Sequence, residues 1–466
     1  MATLAAPPSA VAENRFGLGA RPDSAPPSDG ADWLKAQLKS FVPNPPALSQ
    51  GGDTPTIIRM LAEYRKARQQ AKRAGDEAAL AAAKQENPVG PAYRLQAAAR
   101  LSTAVTTDTP FAERLVHFWA NHFAVSIDKE VTRGLAGCME FEAIRPNMAK
   151  HFVEMWLAVM EHPAMLLYLD QAQSIGPDSA VARLAAMRGG RTLGLNENLA
   201  REAMELHSLG VRTGYTQADV TELARALTGW TVSGFARGPA AKLFQGVPDG
   251  KFYFVEAMHQ PGARTVLGKK YRDEGSKQAL SILVDLAQRP ETANHIATKL
   301  ARHFIADDPP PSAVKRLARV FQETQGHLPS LHAALVDLPE AWETPMAKFK
   351  SPWDWSVSAL RAVGAPGADV KAVGAVAELG QPIWRPGSPA GWDDTSPAWA
   401  APDAVLRRVE IAMRLGQLAP QTLDARAYAP RLLGAVSAST ARVIATAPSP
   451  AQGIALLLAS PEFQRR

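Results

Sequence analysis

Apolar residues recur at helical spacing through most of this chain. Residues 111–124 read FAERLVHFWANHFA, and residues 141–160 carry a second such pattern, with Pro146 near the first turn. Residues 164–173 (AMLLYLDQAQ) are more apolar, so that helix is expected to be buried. Residues 216–227 (TQADVTELARAL) open on a start signal, Thr216 followed three residues later by Asp219, which is close to a capping box. Behind it, Val220, Leu223, Ala224 and Leu227 make one apolar stripe.

The helical period breaks at Trp230. Residues 251–255 (KFYFV) and 264–267 (RTVL) read as two short strands around a turn at Pro261 and Gly262. Helical patterns resume at Ser276, run with breaks to Arg361, and return from Asp403 to the end. Residues 382–402 are a Pro- and Trp-rich loop, and Gly189, Gly190 and Gly194 form a flexible approach to the helix that follows. The first 55 residues, rich in Pro, Gly and Ser around one helix near 32–41, read as an N-terminal strap; residues 56–90 read as a helical hairpin. The pattern predicts an all-α, mainly helical protein with one small β-hairpin insertion near 250–270. Residues 56–466 are expected to form a single helical domain with the Pro/Trp-rich loop at 381–402. Strand content should stay below about one tenth, against an average of about 20–25%.

Composition changes this picture little. The 466 residues are 46% hydrophobic and 21% charged, ordinary for a globular chain with a large core. A net charge of +6 over that length is mild, and the densest basic run, RKARQQAK at 65–72, is followed by Asp76 and Glu77. A nucleic-acid surface concentrates its charge, so no nucleic-acid partner is expected. One cysteine, Cys138, excludes an internal disulfide and a cysteine-built zinc site. No run of about 18 apolar residues predicts a membrane span. The N-terminal MATLAAPPSA has neither a basic region nor an apolar signal core, so the cytoplasm is the default location. The alternative expectation is the periplasm, reached with an exported partner that carries the signal.

The chemistry concentrates in residues 196–210, NENLAREAMELHSLG. At about 100° per residue, Asn198, Glu202 and Glu205 share a helix face, while His207 lies about 140° around from Glu202. Glu197–Arg201 and Arg201–Glu205 are spaced as ion pairs one turn apart. Arg201 is the one cation of this helix and is spaced to pair with the other two acids. Glu202 is left seeking a partner, and it is expected to face a partly enclosed polar cavity with a perturbed pKa. Two readings stay open: a carboxylate pair, Glu202 and Glu205, for acid/base work or a divalent metal, or a polar network that locks helices.

His117 and His122 stand five residues apart, unlike the four-residue spacing of zinc proteases. His122 is nonetheless a candidate to join Glu202 and Glu205 around a metal from a neighbouring helix. His259, in the turn HQPG, and Asp170, at the end of an apolar run, are further candidates. Six of the ten tryptophans fall between 342 and 399. Trp384 and Trp392 among them suit a ligand-stacking wall or a loop anchor. No nucleophile elbow, phosphate-binding loop or dinucleotide fingerprint occurs.

Several stretches taken together resemble a bacterial family known as domain of unknown function 1800: RFGLGARP at 15–22, FWANHF at 118–123, HPAMLLYLDQAQS at 162–174, NENLAREAMELHSLGV at 196–211, GYTQADVTELARALTGW at 214–230, KLARHFIADDPPP at 299–311, the 380–392 stretch and SPEFQ at 460–464. The resemblance implies a largely helical fold and a gene neighbourhood shared with an exported, sulfatase-like family. It brings no activity and no assigned catalytic residue. Gln260 stands where the family is expected to favour an acid after the turn histidine, which weakens an acid/base role for His259. Two functions follow: a hydrolase-type enzyme using Glu202, Glu205 and His207 with Asp170, and with Asn198, Arg201, His259 and the tryptophans in binding; or a non-catalytic partner of the sulfatase-like protein.

Overall fold

The computed structural model describes residues 6–85, 87–189, 194–235, 243–343 and 345–466. It is a mainly helical assembly, and its only sheets among those residues are two antiparallel strand pairs. Many of the helices start on a proline in the first turn, as at Pro110, Pro163, Pro290, Pro311, Pro352 and Pro402. There the missing N–H would have no helix partner and the fixed φ suits the helix. Side-chain caps begin others: Asp29 accepts from the Asp32 N–H, and Asp53 from that of Thr56. The capping box foreseen at Thr216 and Asp219 is present, ahead of the Gln217–Leu227 helix.

Two expectations change in detail. The helix read across 141–160 is broken. A wide, π-type turn at Glu140–Ile144 runs into a tight turn at Arg145–Asn147, and a new helix spans Phe152–Met160. Pro146 has no N–H to give and its ring crowds the preceding turn. The strands are also paired differently. β1 (Trp230–Val232) pairs with β2 (Phe252–Phe254), and β3 (Arg264–Val266) with β4 (Lys269–Tyr271). Leu267 and Gly268 both adopt positive φ, 50° and 78°. A two-residue turn of that hand matches strand twist and closes β3 onto β4 at once. β2 is thereby left to the buried strand β1. The glycine approach lies partly outside the described residues, at Gly190.

The core is one large apolar cluster with a smaller one against it. The N-terminal segment enters the large one: Phe16 is buried against the rings of Phe111, Phe304 and Trp342. The smaller cluster gathers the C-terminal helices around Trp355 and Phe463. The Pro110–His122 helix is buried on nearly every side. It meets the Pro290–Phe304 helix through Phe118 on His303, the Pro352–Ala362 helix through His117 on Trp353, and the 381–402 loop through Asn121. Where these four segments meet, a cavity opens. No helix among the described residues is long and apolar enough to cross a membrane.

Candidate functional site

The cavity holds about 80 Å³, several times the space one water needs. Arg100, His117, His303, Trp353, Trp384 and Trp392 are among the side chains that line it. Its wall is preorganised by one buried acid. Glu140 accepts from Arg100 Nε at 2.8 Å and from Trp384 Nε1 at 2.8 Å, fixing both. The Arg100 guanidinium lies 4.3 Å over the Trp353 ring and 5.4 Å from that of Trp384. Trp384 adopts a positive φ of 50°, which is strained for a bulky residue. It is held there from two sides, because its carbonyl also accepts the Ile127 N–H at 2.9 Å. The 381–402 loop is latched by Asn121, which takes the Trp392 N–H at 2.7 Å and gives to its carbonyl at 2.9 Å. Only glycine allows that approach at Gly391, where a Cβ would stand 2.4 Å from the Asn121 carbonyl oxygen.

Two histidines face this space in different electrical settings. Trp353 Nε1 can only donate, so His117 Nδ1 accepts from it at 3.1 Å. The other ring nitrogen of His117 stands 3.4 Å from Glu113, a carboxylate already gripped by Arg145. His303 Nδ1 is 2.8 Å from Asp394 Oδ2 and therefore donates. That tautomer leaves Nε2 as a lone pair, shielded and without a partner. Burial would push the Asp394 carboxyl up, but His303, Lys348 and Arg466 outweigh it and hold it well below the usual carboxylate range. Burial lowers His303 in turn, only partly offset by Asp394, so the ring is neutral near pH 7. A neutral imidazole oriented by a carboxylate is the arrangement of a general base. Asp354, on the same wall, is held by Arg114 at 3.3 Å and Arg466 at 3.0 Å.

Residues 196–210 are placed elsewhere, and none of the five principal cavities is lined by Glu202 or Glu205. The ordinary helix covers Asn198–Glu202, and a wide turn follows at Ala203–His207. The two expected ion pairs form: Arg201 lies 3.3 Å from Glu197 and 3.6 Å from Glu205. Asn198 is exposed. Glu202 is half-buried and has no hydrogen bond or ion pair among the described residues; burial, with the charge of Glu205, pushes its carboxyl up. His207 turns into the core. The helix ends at His207, so its last carbonyls lack helix partners, and neighbouring imidazoles take two of them: His122 Nε2 is 3.1 Å from the His207 oxygen, and His295 Nε2 3.1 Å from that of Leu206.

Among the described residues, no three His, Cys, Asp or Glu side chains form a group able to hold a metal ion, so His122, Glu202 and Glu205 are not brought together as ligands. His122 is buried in the core and already bonded to backbone, whereas both glutamates lie on the partly solvated side. Asp170 pairs with Lys129 at 2.8 Å on the surface. His259 is buried, its Nδ1 2.9 Å from the Thr228 carbonyl, and Gln260 bonds to Asp178.

Of the residues singled out from sequence, Trp384, Trp392 and His117 are therefore the ones on the cavity. His303, Asp394, Arg100, Glu140 and Asp354 escaped notice. A faint signal existed: His303 lies inside KLARHFIADDPPP, and Asp394 ends the acidic pair after Trp392.

The family described as "Protein of unknown function (DUF1800)" matches residues 11–465. The chain belongs to this family. No curated protein and no solved structure matches it. For this DUF1800 protein the geometry of the cavity is therefore the main guide to chemistry.

Proposed function

We propose that this DUF1800 protein is a hydrolase-type enzyme that works on a small molecule in the tryptophan-lined cavity, with His303 as general base and Asp394 orienting it. The observation that carries this reading is the unpartnered Nε2 of His303, backed by the partly exposed Asp394 carboxylate at 2.8 Å on the opposite ring nitrogen. A shielded polar atom left without a partner costs about 1–3 kcal/mol, and such atoms call for an explanation. Shielded ring nitrogens without a hydrogen bond occur elsewhere too: those of His122, His207 and His332 have no carboxylate behind the ring and do not line the cavity, that of His259 lies off the cavity, and that of His117, which does line it, stands 3.4 Å from Glu113. In the proposed step the side chains over Nε2 draw back to admit a water, Nε2 takes a proton from it, the water oxygen attacks the substrate, and the imidazolium returns the proton to the leaving group.

The test is a panel of 4-nitrophenyl esters, phosphates and glycosides. His303→Asn should lower kcat/KM by about 10²-fold or more, with the melting temperature little changed. Because His303 is lowered from its ordinary value, the wild-type rate should stay flat from pH 8 down to about 6.5. Wild-type turnover by the His303→Asn protein would overturn the reading.

A second reading concerns Glu202. A half-buried carboxyl with no partner and a raised pKa is suited to hold and deliver a proton. The raised pKa means that ionised Glu202 works against folding rather than for it. Glu202→Gln should therefore melt at the same temperature as the wild type or higher, and lose activity or ligand binding. A lower melting temperature would instead mark Glu202 as a structural residue.

A further inference from the structure

The Arg100 side chain is built to bind something that is not in the chain. It is only 8% exposed, and both hydrogen bonds that it donates use Nε, to the two oxygens of Glu140. Nη1 and Nη2 have no hydrogen-bond partner among the described residues, and neither is shielded from solvent. Two indoles hold the guanidinium plane, and Trp384 is itself tied to Glu140, so the open edge is fixed in direction before any ligand arrives. A rigid guanidinium edge with two free nitrogens matches the two oxygens of a carboxylate, phosphate or sulfate group. Of the three carboxylates on the same cavity, Asp393 is exposed and accepts from the Thr395 N–H and hydroxyl, and the other two carry cations of their own. Asp354 is matched by Arg114 and Arg466, and Asp394 by His303, Lys348 and Arg466. Trp353, Trp384 and Trp392 also line the cavity and make part of its wall apolar beside that edge.

We propose that the cavity recognises a small organic oxyanion, with Arg100 gripping the charged group and the neighbouring indoles covering the organic part. This deepens the enzyme reading above and rests on the same cavity, but it concerns recognition and not the base. The substrate class that follows is a compact, ring-bearing carboxylate, phosphate or sulfate ester.

Binding tests this without any need for turnover. Benzoate, benzamide and benzamidine share one shape and differ in charge, and phenyl phosphate extends the series to a second oxyanion. Each is titrated into the full chain at low salt, with tryptophan fluorescence and calorimetry as readouts. Benzoate or phenyl phosphate should bind at least tenfold more tightly than benzamide and benzamidine. Arg100→Gln alone strands the buried Glu140 charge and can unfold the protein, so the decisive variant is Arg100→Gln with Glu140→Gln, which leaves a neutral amide pair. That protein should lose the preference for the oxyanion at least tenfold while binding benzamide as before. Equal binding of benzoate and benzamide by the wild type, no saturable binding of either oxyanion at millimolar concentration, or an unchanged preference in the double variant would each overturn the proposal. His303→Asn separates it from the base reading. Oxyanion preference kept with turnover lost supports both. Preference kept with turnover intact removes only the base. Turnover lost in a protein that never preferred the oxyanion removes only the recognition proposal.

Discussion

Glu113→Gln should destabilise this protein by about 3–5 kcal/mol, the range for breaking a buried ion pair from one side. Glu113 and Arg145 are each 1% exposed in their side chains and meet through two parallel hydrogen bonds of 2.7 and 3.0 Å. Burial would push the Glu113 carboxyl up, but Arg145 and then His117 outweigh it and hold it well below its ordinary range. Glutamine keeps the shape, so no cavity forms. What remains is the Arg145 charge, buried under the Phe41 ring and bonded to the Pro43 carbonyl with no anion to balance it. Glu113→Gln with Arg145→Met removes both charges and should recover part of the loss. An exposed pair gives the contrast: Arg319 and Glu323 are 65% exposed each at 3.8 Å, and Glu323→Gln should leave the unfolding midpoint unchanged. Urea unfolding measures all three. A loss below about 1 kcal/mol in Glu113→Gln would show that the pair contributes no more than a surface bridge.

Acid should unfold the protein well before its carboxylates titrate. His207 and His332 are pulled down to about 3 and His295 to about 4, in each case mainly by burial, and His122 is pulled well below 6.5. In the unfolded chain all four return to an ordinary value near 6.5. The folded state therefore binds fewer protons than the unfolded state below that pH, and stability falls as the pH drops. Each such histidine contributes stability that is complete above about pH 6.5 and is lost at up to ~1.4 kcal/mol per pH unit on the way down to its folded value. Four together can erase several kcal/mol by about pH 5, a large share of a typical 5–15 kcal/mol. Glu113, Asp354 and Asp394 act in the same direction but lower. Their folded values are depressed, so their contribution is present above about pH 4 and lost below it. Urea midpoints measured from pH 7.5 to 4.5 should fall steeply below about pH 6.5. A flat profile down to pH 4.5 would show that these imidazoles accept protons in the folded state without penalty.

The parts of this molecule that the sequence itself determined are those settled within one or two helical turns. The mainly helical class follows from apolar spacing, because 3.6 residues per turn decides which side chains share a face. The capping box of Thr216 and Asp219, and the pairs of Arg201 with Glu197 and Glu205, follow because partners three or four residues apart meet whatever else the chain does. The absence of a local cation for Glu202 was legible for the same reason.

Tertiary structure decided the rest. The helix end at Ala203–His207 is tied to the core by His122 and His295, from two distant helices, which take carbonyls left open there. Strand pairing turned on Leu267 and Gly268, where an immediate two-residue turn closes β3 onto β4 and leaves β2 to β1. Above all, the cavity joins residues far apart in the chain: His303 and Asp394 are separated by 91 positions, and Glu140 and Trp384 by 244. No short-range period relates them. A lone histidine in a helix and an acid in a loop look ordinary until packing partly shields both and puts 2.8 Å between them. In that setting the carboxylate selects the ring tautomer and burial keeps the ring neutral, which only the folded surroundings supply.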